Sequence, residues 1–144
     1  MNWNFTPFAS TGYDFISVAE HEISEAMGRI SLTGATVSDN GVNFQNSYSP
    51  LDLFRYSAPG VRSLVGGQTA YFSPDGGNTS GATNLVGAGK TYFNSTAGGD
   101  WGDWQSSGAN SAGNDAYSAF SSSGTEYSIS GVDQTVMNVL GYHS

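Results

Sequence analysis

The clearest periodic pattern of apolar and polar positions lies near the N-terminal end of the chain. Residues 14–29 contain no proline and no glycine before Gly28. The apolar residues that recur there at helical spacing are Phe15, Val18, Ala19, Ala26 and Ile30. This spacing places them on one stripe of a helix. Because Asp14 can cap the first turn and Gly28 can stop or bend the last one, we predict a helix over 14–29 with this stripe as its packing face.

A second amphipathic pattern lies at the C-terminal end, over residues 130–140. Ser130 or Asp133 can cap this helix, and Gly141 can end it. Its apolar face consists of four residues: Val132, Val136, Val139 and Leu140. We expect this face to pack on the core.

Shorter elements are predicted between and before the two helices. They are a short strand or extended lead-in over 1–12, loop and turn over 31–49, a short helix from Ser49-Pro50 to Leu53 or Phe54, strands over 61–73, a turn over 74–77 and a short helix over 114–120. Residues 76–114 are rich in Gly, Asn and Ser. The predicted fold class is α+β: one domain over 1–144, with the first helix against a small, irregular antiparallel sheet and a C-terminal helix.

Composition and charge exclude several classes of function. The net charge is -8 with only four Lys and Arg residues, so no basic patch for nucleic acid or for an anionic membrane surface can be assembled. There is no cysteine, which excludes disulfides and thiolate metal sites. No apolar run is long enough to span a bilayer. Acidic side chains remain available for cations, and calcium is one candidate.

The chemistry-bearing segment of the first helix is the sequence His21-Glu22-Ile23-Ser24-Glu25. His21 and Glu25 are four residues apart, so they share a helix face and can both reach one metal ion. They can equally form an ordinary surface pair, and the spacing alone leaves both interpretations open. Glu22 stands between that face and the apolar stripe, where partial shielding from water would favour a general base.

The segment departs in two positions from a known zinc-binding pattern. In H-E-x-x-H both histidines bind zinc and the glutamate activates the bound water. A longer version adds a glycine and a third histidine. His21, Glu22 and Gly28 match it, whereas Glu25 and Ser31 stand where it has histidines.

The stretch Tyr13 to Arg29 resembles the catalytic helix of a group of bacterial zincin-like metalloproteases, which reads roughly V-A-x-H-E-I-S-E-x-M-G-R. Four later segments resemble the same group in the same order: residues 51–57, 71–77, 99–104 and 133–142. The resemblance implies zinc-dependent peptide-bond hydrolysis by a secreted or cell-surface bacterial protein whose signal peptide is not in this chain. It makes His21 and Glu25 zinc ligands and Glu22 the catalytic base.

Further roles follow from the same resemblance. Phe54-Arg55-Tyr56 has the spacing of the metzincin turn with Phe in place of Met, which makes Tyr56 a candidate for transition-state stabilisation or weak metal contact. The third ligand stays unidentified, with His143 as one candidate if the tail folds back. Because only 20 residues precede His21, we expect the upstream sheet that pairs with substrate in zincins to be lacking.

Three alternatives stay open. Asp100 and Asp103 could form a calcium loop, although an ordinary glycine-rich turn anchored by Trp101 and Trp104 is the simpler interpretation. Glu22 and Glu25 could act as the carboxylate pair of a glycoside hydrolase on a polysaccharide. The chain could also be a non-catalytic binding module. The substrate, peptide or polysaccharide, and the oligomeric state are left open.

Overall fold

The computed structural model describes residues 2–5, 11–78 and 90–143 of the chain. In these residues the protein has α+β architecture, with two α-helices and three small sheets. This confirms the predicted class and the C-terminal helix. Neither helix of the described residues has the length and apolar character needed to cross a membrane. Residues 79–89, part of the Gly-, Asn- and Ser-rich stretch, lie outside the described ranges.

The N-terminal elements carry the predicted helix. Strand β1, Trp3–Asn4, pairs in parallel with strand β2, Tyr13–Asp14, and helix α1, Phe15–Ala26, follows directly. The Asp14 carboxylate caps α1, because its Oδ1 accepts from the backbone N–H of Ile16 at 3.1 Å. Met27 is the C-cap of the helix. Gly28 follows it with a φ of 106°, a value that side-chain-bearing residues rarely adopt. The cap and the stop were both predicted.

The prediction of the packing face of α1 was wrong. Phe15 is 41% exposed and Ile30 is 44% exposed, whereas Ser17 and Ser24 are each only 3% exposed. The buried face is polar because it meets polar partners. Ser24 Oγ accepts from Arg29 Nε at 2.7 Å and donates to the His21 carbonyl at 2.6 Å. Two buried positions of the helix are therefore occupied by serines, where the periodicity predicted apolar residues.

Strands β3, Ala35–Asp39, and β4, Val42–Ser47, form an antiparallel hairpin. The turn predicted within 31–49 lies at Asn40 and Gly41, which have φ values of 47° and 79°, the pattern of a type I′ turn. The expectation of loop was wrong for 35–39 and 42–47, whereas 31–34 and 48–49 are loop or turn as predicted. The hairpin buries neither face well, with Val42 56% and Phe44 52% exposed, so no burial pattern marks its strands in the sequence.

The next segment contains the central sheet. A short 3₁₀ helix, Pro50–Phe54, begins after Ser49 as predicted. Ser49 and Asp52 form a capping box at its start. Strands β5, Arg55–Ala58, β6, Val61–Arg62, and β7, Tyr71–Phe72, form an antiparallel sheet in the order β6-β5-β7. Strands over 61–73 were predicted, although the structure keeps only the two ends of that range extended.

Residues 90–130 are irregular and are held by isolated bridges. Trp104 pairs with both Phe93 and Ser118. The predicted helix over 114–120 is absent from this part of the structure. The Asp115 carboxylate accepts from the Tyr117 backbone N–H at 2.7 Å, a local bond that competes with helical hydrogen bonding. The turn it makes directs the Tyr117 carbonyl to the Trp104 N–H at 2.8 Å.

Helix α2, Gly131–Val139, closes the fold. Ser130 and Asp133 form a capping box at its start, and Gly141 follows its end with a φ of 105°. Both ends were predicted, and so was the packing face, since Val132 and Val136 are fully buried. The core that they join also contains Leu51, Ala70, Phe72, Phe93, Trp104, Ala112, Ala116 and Tyr117.

Candidate metal centre

Three side chains from distant parts of the chain converge beside α1. His21, Glu25 and Asp103 each offer one ligand atom, and these atoms lie within 4.8 Å of one another. His21 Nε2 is 3.3 Å from Glu25 Oε1 and 3.4 Å from Asp103 Oδ1. This group could hold a metal ion. Two of its members were predicted, and Asp103 stands where the third ligand was missing.

A backbone carbonyl orients the His21 ring. Nδ1 lies 2.9 Å from the carbonyl oxygen of Ala116, which can only accept, so Nδ1 carries the proton and donates. In the neutral ring Nε2 then presents a lone pair to two carboxylates. A cation at Nε2 would relieve this conflict. Metal-bound histidines commonly donate their second ring N–H to a carbonyl or carboxylate in the same way.

Asp103 reaches the centre from an irregular loop that is anchored in the core. Its neighbour Trp104 is 1% exposed, and the Asp103 carbonyl accepts from the Asn94 N–H at 2.7 Å. The loop can approach the end of α1 because residue 102 is a glycine. A Cβ at Gly102 would lie 3.0 Å from the Ser31 backbone nitrogen, so any side chain there would push the loop outward.

A buried arginine closes the cluster. Arg29 is 1% exposed, and its Nη1 donates to Asp103 Oδ1 at 2.9 Å. Its Nη2 is 3.6 Å from Glu25 Oε1. The guanidinium also lies 4.1 Å from the centre of the Tyr117 ring. The two carboxylates therefore already have one cationic partner.

Burial and charge act against each other on the two carboxylates. Desolvation raises the pKa of Glu25, the nearby Asp103 charge raises it further, and His21 and Arg29 lower it. Desolvation also raises the pKa of Asp103, against the lowering effects of His21 and Arg29. The net result is a raised pKa for both groups, and an added cation would favour their carboxylate form.

Glu22 lies beside the cluster but is not shielded as expected. It lines a polar cavity of about 150 Å³ together with His21, Ser17 and Asp115. Its side chain is exposed. The expectation of partial burial depended on a buried apolar stripe, and three residues of that stripe, Phe15, Ala26 and Ile30, are exposed. Glu22 therefore lies on an exposed cavity that it shares with His21 and Ala116, and the lining of that cavity includes neither Glu25 nor Asp103.

Tyr56 is not brought to the cluster. It lies on β5, is 6% exposed, and its hydroxyl accepts from Arg62 Nε at 3.2 Å. Within the described ranges no hydrogen bond joins it to His21, Glu25 or Asp103. The structure gives Tyr56 a contact that supports the sheet.

The other candidates for a third ligand lie elsewhere. Ser31, at the position of the third histidine in the longer pattern, donates its hydroxyl to the buried Asp52 carboxylate. His143 lines an apolar groove of about 510 Å³ between α1 and α2, alongside Ile23 and Met27. Neither belongs to the cluster. The Ser31 hydroxyl is bonded to Asp52, and His143 lies among the residues of the groove.

Asp100 and Asp103, considered for a calcium loop, are not joined by a third acidic side chain in the described residues. Asp103 turns towards His21, whereas Asp100 is exposed. The described part of the chain contains no second group of three His, Asp or Glu side chains close enough to share an ion. The only local sign of the role of Asp103 was its place beside Trp104, since a core tryptophan fixes the residues next to it.

Comparison with protein-family models, with curated proteins and with solved structures found no match to this chain.

Proposed function

We propose that this chain is a zinc-dependent hydrolase of peptide bonds, with the metal held by His21, Glu25 and Asp103. The observation that carries the proposal is the approach of two carboxylate oxygens to the free ring nitrogen of His21, whose other nitrogen is engaged by Ala116. Imidazole nitrogen and carboxylate oxygen are both zinc ligands. Three protein ligands are the number that catalytic zinc sites use, with the fourth position left for water or substrate.

Zinc bound there would supply a Lewis acid that polarises a carbonyl and lowers the pKa of water. Glu22 is the group best placed to move protons, because it lines the same cavity as His21 and stays open to an incoming molecule. It would take the proton of the attacking water and pass it to the leaving amine. Ala116 would keep His21 in the tautomer with Nε2 free.

The glycoside hydrolase alternative has less support. A retaining pair needs both carboxyl groups free to face the substrate. Glu25 is engaged by His21 at 3.3 Å and lies 3.6 Å from Arg29 Nη2. Only Glu22 of the two is free of these contacts, which favours the metal-dependent mechanism.

Metal content is the direct test of the site. The protein would be stripped with chelator, dialysed against zinc, manganese and calcium in turn, and analysed for bound metal. We expect one zinc per chain, retained in Asp100→Asn and lost in His21→Ala and Asp103→Asn. Asp100→Asn is the matched control, because it removes an exposed acid from the same loop. Manganese or calcium in place of zinc would indicate a hard-cation site, and no metal would indicate a structural ion-pair network.

Hydrolysis is tested through Glu22. Glu22→Gln should lower turnover of an unstructured protein substrate by about 10²–10⁴-fold, because proton transfer by a positioned side chain contributes about that much. Its zinc content should not change. Glu20→Gln is the control on the same helix, since Glu20 lines the apolar groove on the other side of α1. Full activity in Glu22→Gln would refute the assignment of the base.

A further inference from the structure

Arg29 is the basic group of the candidate centre, in a chain that has only four Lys and Arg residues. The other three lie elsewhere: Arg55 beside Phe93, Arg62 beside Tyr56 and Lys90 beside Tyr71. A buried arginine is costly unless its charge is paired. Its position between two acidic side chains therefore indicates a role in the centre and not only in solubility.

We infer that Arg29 is a built-in counter-cation that holds Glu25 and Asp103 together when no metal is bound and that weakens metal binding by staying in place. The inference rests on the proposed metal site. It assigns to Arg29 a positioning role, in which the residue acts through the two carboxylates.

The contacts place Arg29 on the oxygens that face His21. Asp103 Oδ1 is 2.9 Å from Arg29 Nη1 and 3.4 Å from His21 Nε2. Glu25 Oε1 is 3.6 Å from Arg29 Nη2 and 3.3 Å from His21 Nε2. A metal ion beside Nε2 would thus share its carboxylates with the guanidinium. Each carboxylate has a second oxygen, so both cations can be accommodated at once.

Arg29 is fixed and cannot withdraw easily. Its Nε donates to Ser24 Oγ at 2.7 Å, and its Nη1 also reaches the Gly102 carbonyl at 3.3 Å. The planar group stacks on Tyr117.

One donor of Arg29 is buried without a hydrogen-bond acceptor. Nη2 has no partner within hydrogen-bond geometry, and its nearest ion-pair contact is Glu25 Oε1 at 3.6 Å. A small rotation of the Glu25 carboxylate would complete that bond. The unused donor is therefore aimed at the ligand that would have to turn towards a metal.

Charge determines the expected effect of removing Arg29. Without it, two desolvated carboxylates face each other with no fixed cation, so the metal-free protein loses stability. A bound divalent ion would meanwhile be freed from repulsion by a neighbouring positive charge. Both effects tighten metal binding.

The experiment measures zinc affinity by competition with a chromophoric chelator, alongside thermal unfolding with and without zinc. In Arg29→Met we expect binding tighter by about tenfold or more, a lower melting temperature without metal and a larger rise on adding zinc. Arg29→Lys keeps the charge, so its affinity should stay near the wild-type value. Arg62→Met is the control that removes an arginine away from the centre.

The outcomes separate this inference from the proposed function. If the wild type binds no zinc but Arg29→Met does, the inference holds and the zinc-enzyme proposal fails. If the wild type binds zinc and Arg29→Met binds it equally or more weakly, the inference fails and the metal site stands. No binding in either variant, equal tightening in Arg29→Lys, or an Arg29→Met protein that stays unfolded with zinc would also overturn the inference.

Discussion

The molecule contains two buried acidic clusters that are neutralised in different ways. In the first, Glu25 and Asp103 face His21 and Arg29. In the second, Asp115 and Asp133 are 1% and 0% exposed and interact with each other. Their described partners are hydrogen-bond donors: the Trp104 indole and the Ser130 N–H each donate to Asp133 at 2.7 Å.

The consequence appears in the pKa values. Positive groups oppose the effect of burial on Glu25 and Asp103. In the second cluster burial and then the Asp133 charge raise the pKa of Asp115 to about 7. Two carboxyl groups in one dry site behave in this way when only a proton can relieve their repulsion. Buried acids alone therefore do not make a metal site. An oriented imidazole distinguishes the first cluster from the second.

The largest expected difference comes from removing one acid from each cluster. Asp103→Asn should lower the free energy of unfolding without metal by about 3 kcal/mol, because it leaves Arg29 buried with one carboxylate fewer. Asp115→Asn should cost far less near pH 8, because its amide can donate to Asp133 where the ionised acid cannot. Urea unfolding of both variants at pH 8 measures the difference. Equal losses would show that the two clusters do not differ in this way.

A smaller effect is expected in the pH dependence of stability. The folded pKa of Asp115 is about 7 and its unfolded value is 3.8, so the folded state holds the extra proton. The stabilisation from that proton is complete below pH 4 and is lost as the pH rises to about 7. Relative to Asp115→Asn, the wild type should lose stability across this window with a slope of up to about 1.4 kcal/mol per pH unit. Unfolding at several pH values checks this, and parallel curves for the two proteins would contradict it.

The smallest effect concerns the support of Arg29. Ser24→Ala removes the acceptor of Arg29 Nε and should cost about 1 kcal/mol of stability. Zinc affinity should change by less than about threefold, because the charges of the centre are unchanged. Chemical unfolding and chelator competition measure the two quantities. A large loss of affinity would mean that the orientation of Arg29, and not its charge alone, controls the site.

Local signals account for what the sequence predicted well. Ser130 and Asp133 cap α2, and Asp14 caps α1, through contacts within three residues. The buried face of α1 was missed because it depends on Arg29 and on Asp103, a residue far along the chain. The helix over 114–120 was mispredicted because the Asp115 carboxylate bonds to the backbone two residues later. Asp103 itself lies in an irregular loop, where no periodicity indicates the direction of a side chain.

The position of Asp103 next to Trp104 in the chain also has a consequence for the order of folding. His21 and Glu25 meet as soon as α1 forms, since they are one helical turn apart. Trp104 is buried in the core and its indole donates to Asp133 of α2, so we expect Asp103 to join them only once these contacts have formed. Contacts between residues distant in sequence form late, because a long loop must first be closed. We therefore expect the three side chains to come together late in folding, so that an ion needing all three would bind only to a nearly complete native state.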